Sequence, residues 1–419
     1  MTALGPATKT CHACGDGHLV PFLDLGLQPM AGWFPLPSEA LPDAAWPLRP
    51  AVCPACWLVQ LADPGPAEAE IPGAPPPTGS ASMAAHARAF VADLRARAML
   101  RDRTRVVEVA SHGGYLQPYF AEDGVATTVL EAEPARAERI RGSRGAVIET
   151  SLEAVSSGET LLARGQFDLF VDHYLLAHLD APEAALAGIT RLLTAEGTAV
   201  LEFDHLLPTI EGLQFDAFRH GHRSYLSLTW LAAAAQRHGL SVTDVAEQSV
   251  YGGALRVYLR HAARRDERSA SAEKVLAAER AAGLAGLETY HAFSAGVVAR
   301  RASTVAALAA LADGGRPMMG YGAPARAVTL LNYYGLGAAL MPVTADASRA
   351  KQGRCIPGVR TPIVGLAELR VRRPSDLLIL VWDLAPEVIR QIEAAGAWGA
   401  RYWVPIPGLV PAVAEVAGG

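Results

Sequence analysis

Four cysteines in two Cys-x-x-Cys pairs, Cys11 with Cys14 and Cys53 with Cys56, speak most directly of chemistry. Each pair turns tightly enough to aim both sulfurs at one ion, and four thiolates close a tetrahedron around zinc. The competing reading is two disulfides, or four ordinary buried thiols. A four-cysteine site leaves no coordination position open, so such a metal holds a fold together and activates no substrate. The fifth cysteine, Cys355, stands alone after Arg354 and reads as a packed thiol. Chemistry on a substrate has to be sought elsewhere in the chain.

Two other stretches offer it. In Val106-Val-Glu-Val-Ala-Ser-His-Gly-Gly114 an apolar strand runs into small residues that let a ligand approach the backbone, with Glu108, Ala110, Ser111 and Gly114 as candidate contacts. Further on, Glu133 stands where an acid at the end of a second strand hydrogen-bonds a ribose. The plainer alternative is a tight strand-to-helix turn followed by a surface glutamate. The second stretch is Arg219-His-Gly-His222, where His220 and His222 flank a glycine. An imidazole accepts a proton near neutral pH, but a structural or metal-binding role fits these residues equally well.

These groups need elements to hold them. The chain has 419 residues, enough for two or three domains each with its own core. Apolar residues make up 51% and charged residues 19%, as in a compact soluble protein, and the net charge of −5 does not suit a phosphate-backbone binder. Nucleic acid and membrane are therefore not expected partners: no run reaches the length of a membrane span and Met1 to Thr10 lacks an apolar core, so the cytoplasm is the expected location. The prolines between Asp63 and Ser82 mark a linker. A helix from about Met83 to Leu100 follows, then strands at Arg105 to Ala110, Thr127 to Leu130, Phe167 to Val171 and Thr198 to Phe203, with a helix over Glu183 to Leu193. Strand and helix in alternation predict a doubly wound parallel sheet running to about His261. The third part opens with a long alanine-rich helix in which Leu284, Leu287, Phe293 and Val297 keep helical spacing. The loop Gly320-Tyr-Gly-Ala-Pro-Ala325, a helix to about Tyr334, and strands at Met341 to Thr344 and Asp376 to Trp382 predict a second nucleotide-fold-like sheet.

Over nearly its whole length the chain resembles the sugar C-methyltransferases of antibiotic deoxysugar pathways. The resemblance rests on the four cysteines, the segments Phe167 to Leu179 and Phe215 to Leu228, the loop Gly320 to Ala325 and the run Lys351 to Gly358. It implies an α/β protein of three parts: a small zinc-binding domain over residues 1–70, a Rossmann-like S-adenosylmethionine domain over 71–261, and a C-terminal Rossmann-like domain over 262–419. It also implies a reaction in which a nucleotide-linked deoxyketosugar loses a proton beside its carbonyl and the enolate attacks a sulfonium methyl. In that family the base is the last histidine of a Tyr-His-Glu-His run, which here falls on His222, with Arg219 and His220 beside it. Arg256, Tyr321, Lys351 and Trp382 are the positions the resemblance assigns to the substrate.

The departures cluster at the same place. Arg219 and Gly221 stand where the family carries tyrosine and glutamate, Pro75 to Ser80 replaces a tyrosine-rich patch, and Ser111-His-Gly-Gly114 replaces Ser-Asn-Asp-Gly. Arg219 supplies a permanent cation suited to an anionic enolate, unless it pairs with a carboxylate such as Asp216. Methyl transfer, non-methylating chemistry on an enolisable molecule through His222 and Arg219, and a catalytically silent zinc- and nucleotide-binding protein all remain open. The oligomeric state is not legible.

Overall fold

A computed structural model describes residues 10–39, 43–63, 65, 81–109, 115–141, 146–157, 165–313 and 318–414. The loop residues Ala110, Ser111 and Gly114, and most of the proline-rich linker, lie outside them.

The N-terminal part is built from short strands: β1 (Val20–Pro21), β2 (Leu27–Pro29), β3 (Ala45–Pro47), β4 (Pro50–Val52) and β5 (Val59–Leu61). Prolines at 21, 29, 47 and 50 remove ladder donors and keep these strands short. β2 pairs with β3, while β1, β4 and β5 form an antiparallel sheet whose fourth strand is lent by Ser224–Tyr225, far along the chain.

The central part runs α1 (Ala81–Ala96), β6 (Val106–Val109), α2 (Gln117–Glu122), β7 (Thr127–Glu131), α3 (Pro134–Arg141), β8 (Ala146–Glu149), α4 (Leu152–Ser157), β9 (Phe167–His173), α5 (Pro182–Leu192) and β10 (Leu193–Asp204). It continues with α6 (Leu206–Glu211), the lent strand β11 (Ser224–Tyr225), α7 (Leu228–Arg237), β12 (Leu240–Gln248) and β13 (Ala254–His261). Seven strands order as β12-β13-β10-β9-β6-β7-β8; β10 through β8 are parallel, and β12 and β13 form an antiparallel hairpin on one edge. Strand alternation sends Val106, Leu169, Val171, Val200 and Tyr258 to the face covered by α1 and α2. Val107, Phe170, Ala199, Leu201 and Leu255 face α4, α5 and α7. Glu202 and Asp204 follow Val200 at a period of two, so both point to the α1 side.

Two helices open the third part, α8 (Ala270–Ala281) and α9 (Leu287–Asp313), where the sequence pattern predicts one. The break is at Gly283, whose φ of +71° ends the first helix, and Leu284 sits in the turn. Then come β14 (Met319–Tyr321), α10 (Ala325–Tyr334), β15 (Thr344–Ala345), β16 (Ile363–Val364), α11 (Leu366–Arg372), β17 (Asp376–Ile379), α12 (Ala385–Ala394), β18 (Arg401–Val404) and β19 (Val410–Ala412). Their sheet orders β16-β15-β14-β17-β18-β19, parallel except for β19. One core joins Phe22 and Leu48 of the first part, Phe218 of the second, and Phe293 and Leu331 of the third. No described helix is long and apolar enough to cross a membrane.

Candidate active site

The knuckles close on left-handed residues, Gly15 at φ +76° after Cys14 and Trp57 at φ +63° after Cys56. The first position suits glycine; the second holds a bulky side chain in a sparsely populated region. Cys11 Sγ lies 3.6 Å from Cys56 Sγ and Cys14 Sγ lies 3.7 Å from Cys53 Sγ, with all four sulfurs within 4.8 Å of one another. A disulfide needs about 2.05 Å, so the cross-paired thiols overturn that alternative. A zinc tetrahedron with bonds of about 2.3 Å has edges of about 3.8 Å, which these separations fit. Cys11, Cys14, Cys53 and Cys56 form the structural zinc site.

That site is tied to the histidine loop. His12 Nε2 is 2.8 Å from Ser224 Oγ, β11 pairs with β5 through Ser224 to Gln60 and Tyr225 to Val59, and Leu61 N–H donates to Arg223 O at 3.3 Å. The Tyr225 hydroxyl in turn accepts the Arg219 N–H at 2.9 Å and donates to Arg219 O at 3.2 Å.

In the central sheet the strand order reverses between β6 and β9, which puts a ligand site outside the carboxyl ends of those strands. Glu108 is fully buried there: Oε1 accepts the Leu116 N–H at 2.8 Å, Oε2 has no partner among the described residues, and burial pushes its pKa up to about 8. At the end of β7, Glu131 accepts the Glu133 N–H at 2.8 Å, leaves Oε2 unpartnered, and has its pKa raised by burial. Glu133, the expected ribose ligand, is half-exposed and paired with Arg136. Two buried carboxyl groups at adjacent strand ends, each with an oxygen left unmatched among the described residues, fit a ligand that carries hydroxyl groups, and a cationic one such as S-adenosylmethionine would favour their ionised forms.

The proton-transfer candidates meet at the end of β10. An Arg219 Nη2 contacts His222 Nε2. Because guanidinium has no acceptor, the contact assigns the imidazole lone pair to Nε2 and its N–H to Nδ1. Nδ1 lies 3.9 Å from Asp204 Oδ2, and the His178 ring stands edge-on 4.4 Å away, its own Nδ1 donating to Gly221 O at 2.6 Å. His222 is 2% exposed. His220 turns the other way, with Nε2 3.1 Å from Pro47 O and its ring edge-on to Trp46, so the two histidines do not share a site.

Asp216 is not the partner of Arg219. It is fully buried and accepts Arg326 Nη2 at 3.0 Å and Trp382 Nε1 at 2.8 Å, and the Arg326 guanidinium lies 4.8 Å over the Trp382 ring. Arg326 also donates to Tyr251 O at 2.6 Å, holding Tyr251 at φ +55° with its ring edge-on to Tyr174 at 5.2 Å. Trp382 therefore belongs to the junction between central and C-terminal parts. Lys351 Nζ donates to Ala323 O at 2.8 Å, burial lowers its pKa, and Tyr321 is buried at the end of β14. Arg256 is held beneath α1: its Nε donates to Glu202 Oε2 at 2.8 Å and Nη1 to Asp93 Oδ2 at 3.1 Å, where His86 and His173 also face Glu202.

Asp204, His178, Tyr251 and Arg326 stand among the candidate residues without having been singled out in the sequence, and at the end of β7 Glu131 is the buried acid where Glu133 is the expected one. Tyr251 precedes a double glycine, Arg326 directly follows Ala325, and His178 lies within the segment that carries the resemblance, so each had a local signal.

Known proteins place this architecture. Residues 11–69 match a zinc binding domain model, residues 83–245 a methyltransferase domain model, and residues 249–407 a C-methyltransferase C-terminal domain model. Over 403 residues, 95% of each chain, the sequence is 30% identical to the C-methyltransferase NovU of Streptomyces niveus. The chain belongs to the C-methyltransferase family. Among solved structures, it is similar to the magnesium protoporphyrin IX methyltransferase ChlM of Synechocystis PCC 6803, at 13% identity over 43% of this chain and 88% of that one, with a TM-score of 0.34. It is also similar to the CcbJ methyltransferase of Streptomyces caelestis, at 15% identity over 46% and 94% of the two chains, with a TM-score of 0.33. The chain is an S-adenosylmethionine-dependent C-methyltransferase, so its acceptor atom is a carbon nucleophile.

Proposed function

We propose that this C-methyltransferase acts on a nucleotide-linked deoxyketosugar, with His222 as the base and Arg219 as the cation that steadies the enolate. S-adenosylmethionine supplies the electrophilic methyl group when bound. The bound substrate first draws the Arg219 guanidinium off His222 Nε2; the sugar carbon beside the carbonyl then gives its proton to Nε2, and Arg219 steadies the charge that develops on the carbonyl oxygen. Glu108 and Glu131, with Glu133 beside them, hold the cofactor end.

The observation that carries the substrate class is the joint made by Arg326. The loop Gly320-Tyr-Gly-Ala-Pro-Ala325 leads β14 into α10 where the third sheet's order reverses between β14 and β17, and Asp346 follows β15. Gly-x-Gly-x-x-Ala with an acid after the second strand is the pattern of a nucleotide fold. Gly322, at φ +96° with Val381 3.1 Å from any added Cβ, keeps that turn tight. Arg326, next in sequence, reaches Asp216, three residues before Arg219. A nucleotide held on the third domain would thus present its sugar to the proton-transfer residues.

Calorimetry with a nucleoside-diphosphate deoxyketosugar tests this reading. Binding is expected in wild type and is expected to weaken at least tenfold in Lys351→Ala; a protein that binds S-adenosylmethionine and no nucleotide sugar would contradict the substrate class.

A further inference from the structure

We infer that Asp204 is a positioning residue for His222, supplying from strand β10 the carboxylate that the histidine loop itself lacks. The inference rests on the reading of His222 as the base. Asp204 is the last residue of β10, paired in register with Ala254 of β13, so its Cα is fixed by the central sheet and not by the loop. Its side chain is 18% exposed; Oδ2 lies 3.9 Å from His222 Nδ1, and buried Oδ1 has no hydrogen-bond partner among the described residues.

The tautomer decides what the carboxylate can do. With Arg219 on Nε2, the imidazole N–H is on Nδ1, the nitrogen that lies within salt-bridge range of Asp204 Oδ2. A substrate anion that draws Arg219 away uncovers the Nε2 lone pair. When Nε2 then takes the substrate proton, both ring nitrogens carry hydrogen, and Asp204 stabilises the imidazolium through Nδ1. A proton moves from the sugar carbon to Nε2, the electron pair stays on the enolate, and Asp204 itself gains no proton. Burial raises the Asp204 pKa, Arg219 and Arg326 oppose that rise, and Asp383 and Glu202 add to it. The hydroxyls of Tyr174, Tyr225 and Tyr251 feel the same carboxylate, and the His178 and Tyr225 rings pack against His222 at 4.4 and 6.0 Å.

The test uses full-length zinc-loaded protein and a nucleoside-diphosphate deoxyketosugar, following deuterium uptake beside the carbonyl against pH. Asp204→Asn is expected to slow exchange roughly 10- to 100-fold with S-adenosylmethionine affinity and KM unchanged within about threefold. It is also expected to move the acidic limb of the profile to lower pH, because removing a negative charge disfavours imidazolium. Asp204→Glu, which keeps the charge, should restore the limb. An unmoved limb in Asp204→Asn overturns the inference even if the rate falls, since a merely structural defect lowers rate without shifting the titration. Wild-type exchange in His222→Ala together with loss in Asp204→Asn also overturns it, by making Asp204 the proton acceptor. Wild-type exchange in both variants removes the base assignment itself.

Discussion

Releasing zinc should disable proton abstraction while leaving cofactor binding intact, although the metal lies outside the reacting groups. Cys53→Ser removes one of four sulfur ligands, and Cys53 is fully buried, so the knuckles lose both the ion and their packing. The strand that follows His222 belongs to the same sheet. Three links are at stake: Leu61 N–H to Arg223 O at 3.3 Å, His12 Nε2 to Ser224 Oγ at 2.8 Å, and a ladder bond between β5 and β11. At about 1 kcal/mol each they hold the loop by about 3 kcal/mol, roughly a 100-fold loss of the ordered loop. Ser224→Ala breaks one link and should cost about fivefold on the same scale. Deuterium uptake into the sugar reads the loop, while calorimetry with S-adenosylmethionine reads the sheet ends at β6 and β7, which the lent strand does not touch. Exchange should drop roughly 100-fold in Cys53→Ser with cofactor affinity unchanged. A zinc-free Cys53→Ser protein that exchanges at the wild-type rate would mean that the metal does not order the histidine loop.

The junction and the cofactor end make further demands. Arg326→Ala leaves the buried Asp216 carboxylate without its cation and should destabilise the protein by about 3 to 5 kcal/mol in urea titration; a loss under about 1 kcal/mol would mean that the pair is solvated. Glu108 has a folded pKa of about 8 against an ordinary 4.5, so folding takes up a proton and the stability of the cofactor-free protein falls as pH rises between those values. The slope is at most about 1.4 kcal/mol per pH unit; Glu108→Gln should flatten it, and equal urea midpoint shifts between pH 5.5 and pH 7.5 in both proteins would contradict that. Glu133→Ala should weaken S-adenosylmethionine binding by about 2 to 4 kcal/mol if its carboxylate meets both ribose hydroxyls; unchanged affinity on calorimetry assigns that contact to Glu131.

The parts of this molecule that repeat a local rule were legible. Cys-x-x-Cys spacing marked the zinc ligands, and apolar runs at 105–110 and 167–171 marked inner strands of the central sheet. What escaped was assembly across distance. Nothing near Ser224 announces that it will pair with Gln60, because two-residue strands carry no period and their register is set by the sheet they join. His220 and His222 look equivalent in sequence, yet the loop sends one to Pro47 and the other to Asp204. Asp216 and Arg219 are at helix-like spacing, but a fully buried carboxylate takes the partner that is buried with it, and that is Arg326 from another domain. Helix α8 stopped where Gly283 allowed a left-handed turn, which an alanine-rich pattern hides.

Methyl transfer is tested most directly by following a trideuteromethyl group from labelled S-adenosylmethionine into a nucleoside-diphosphate deoxyketosugar by mass spectrometry and NMR. One intact labelled methyl is expected on the carbon beside the carbonyl in the wild-type reaction, and His222→Ala is expected to abolish it while still binding both ligands. A methyl group on oxygen or nitrogen, or undiminished transfer by His222→Ala, would contradict this expectation.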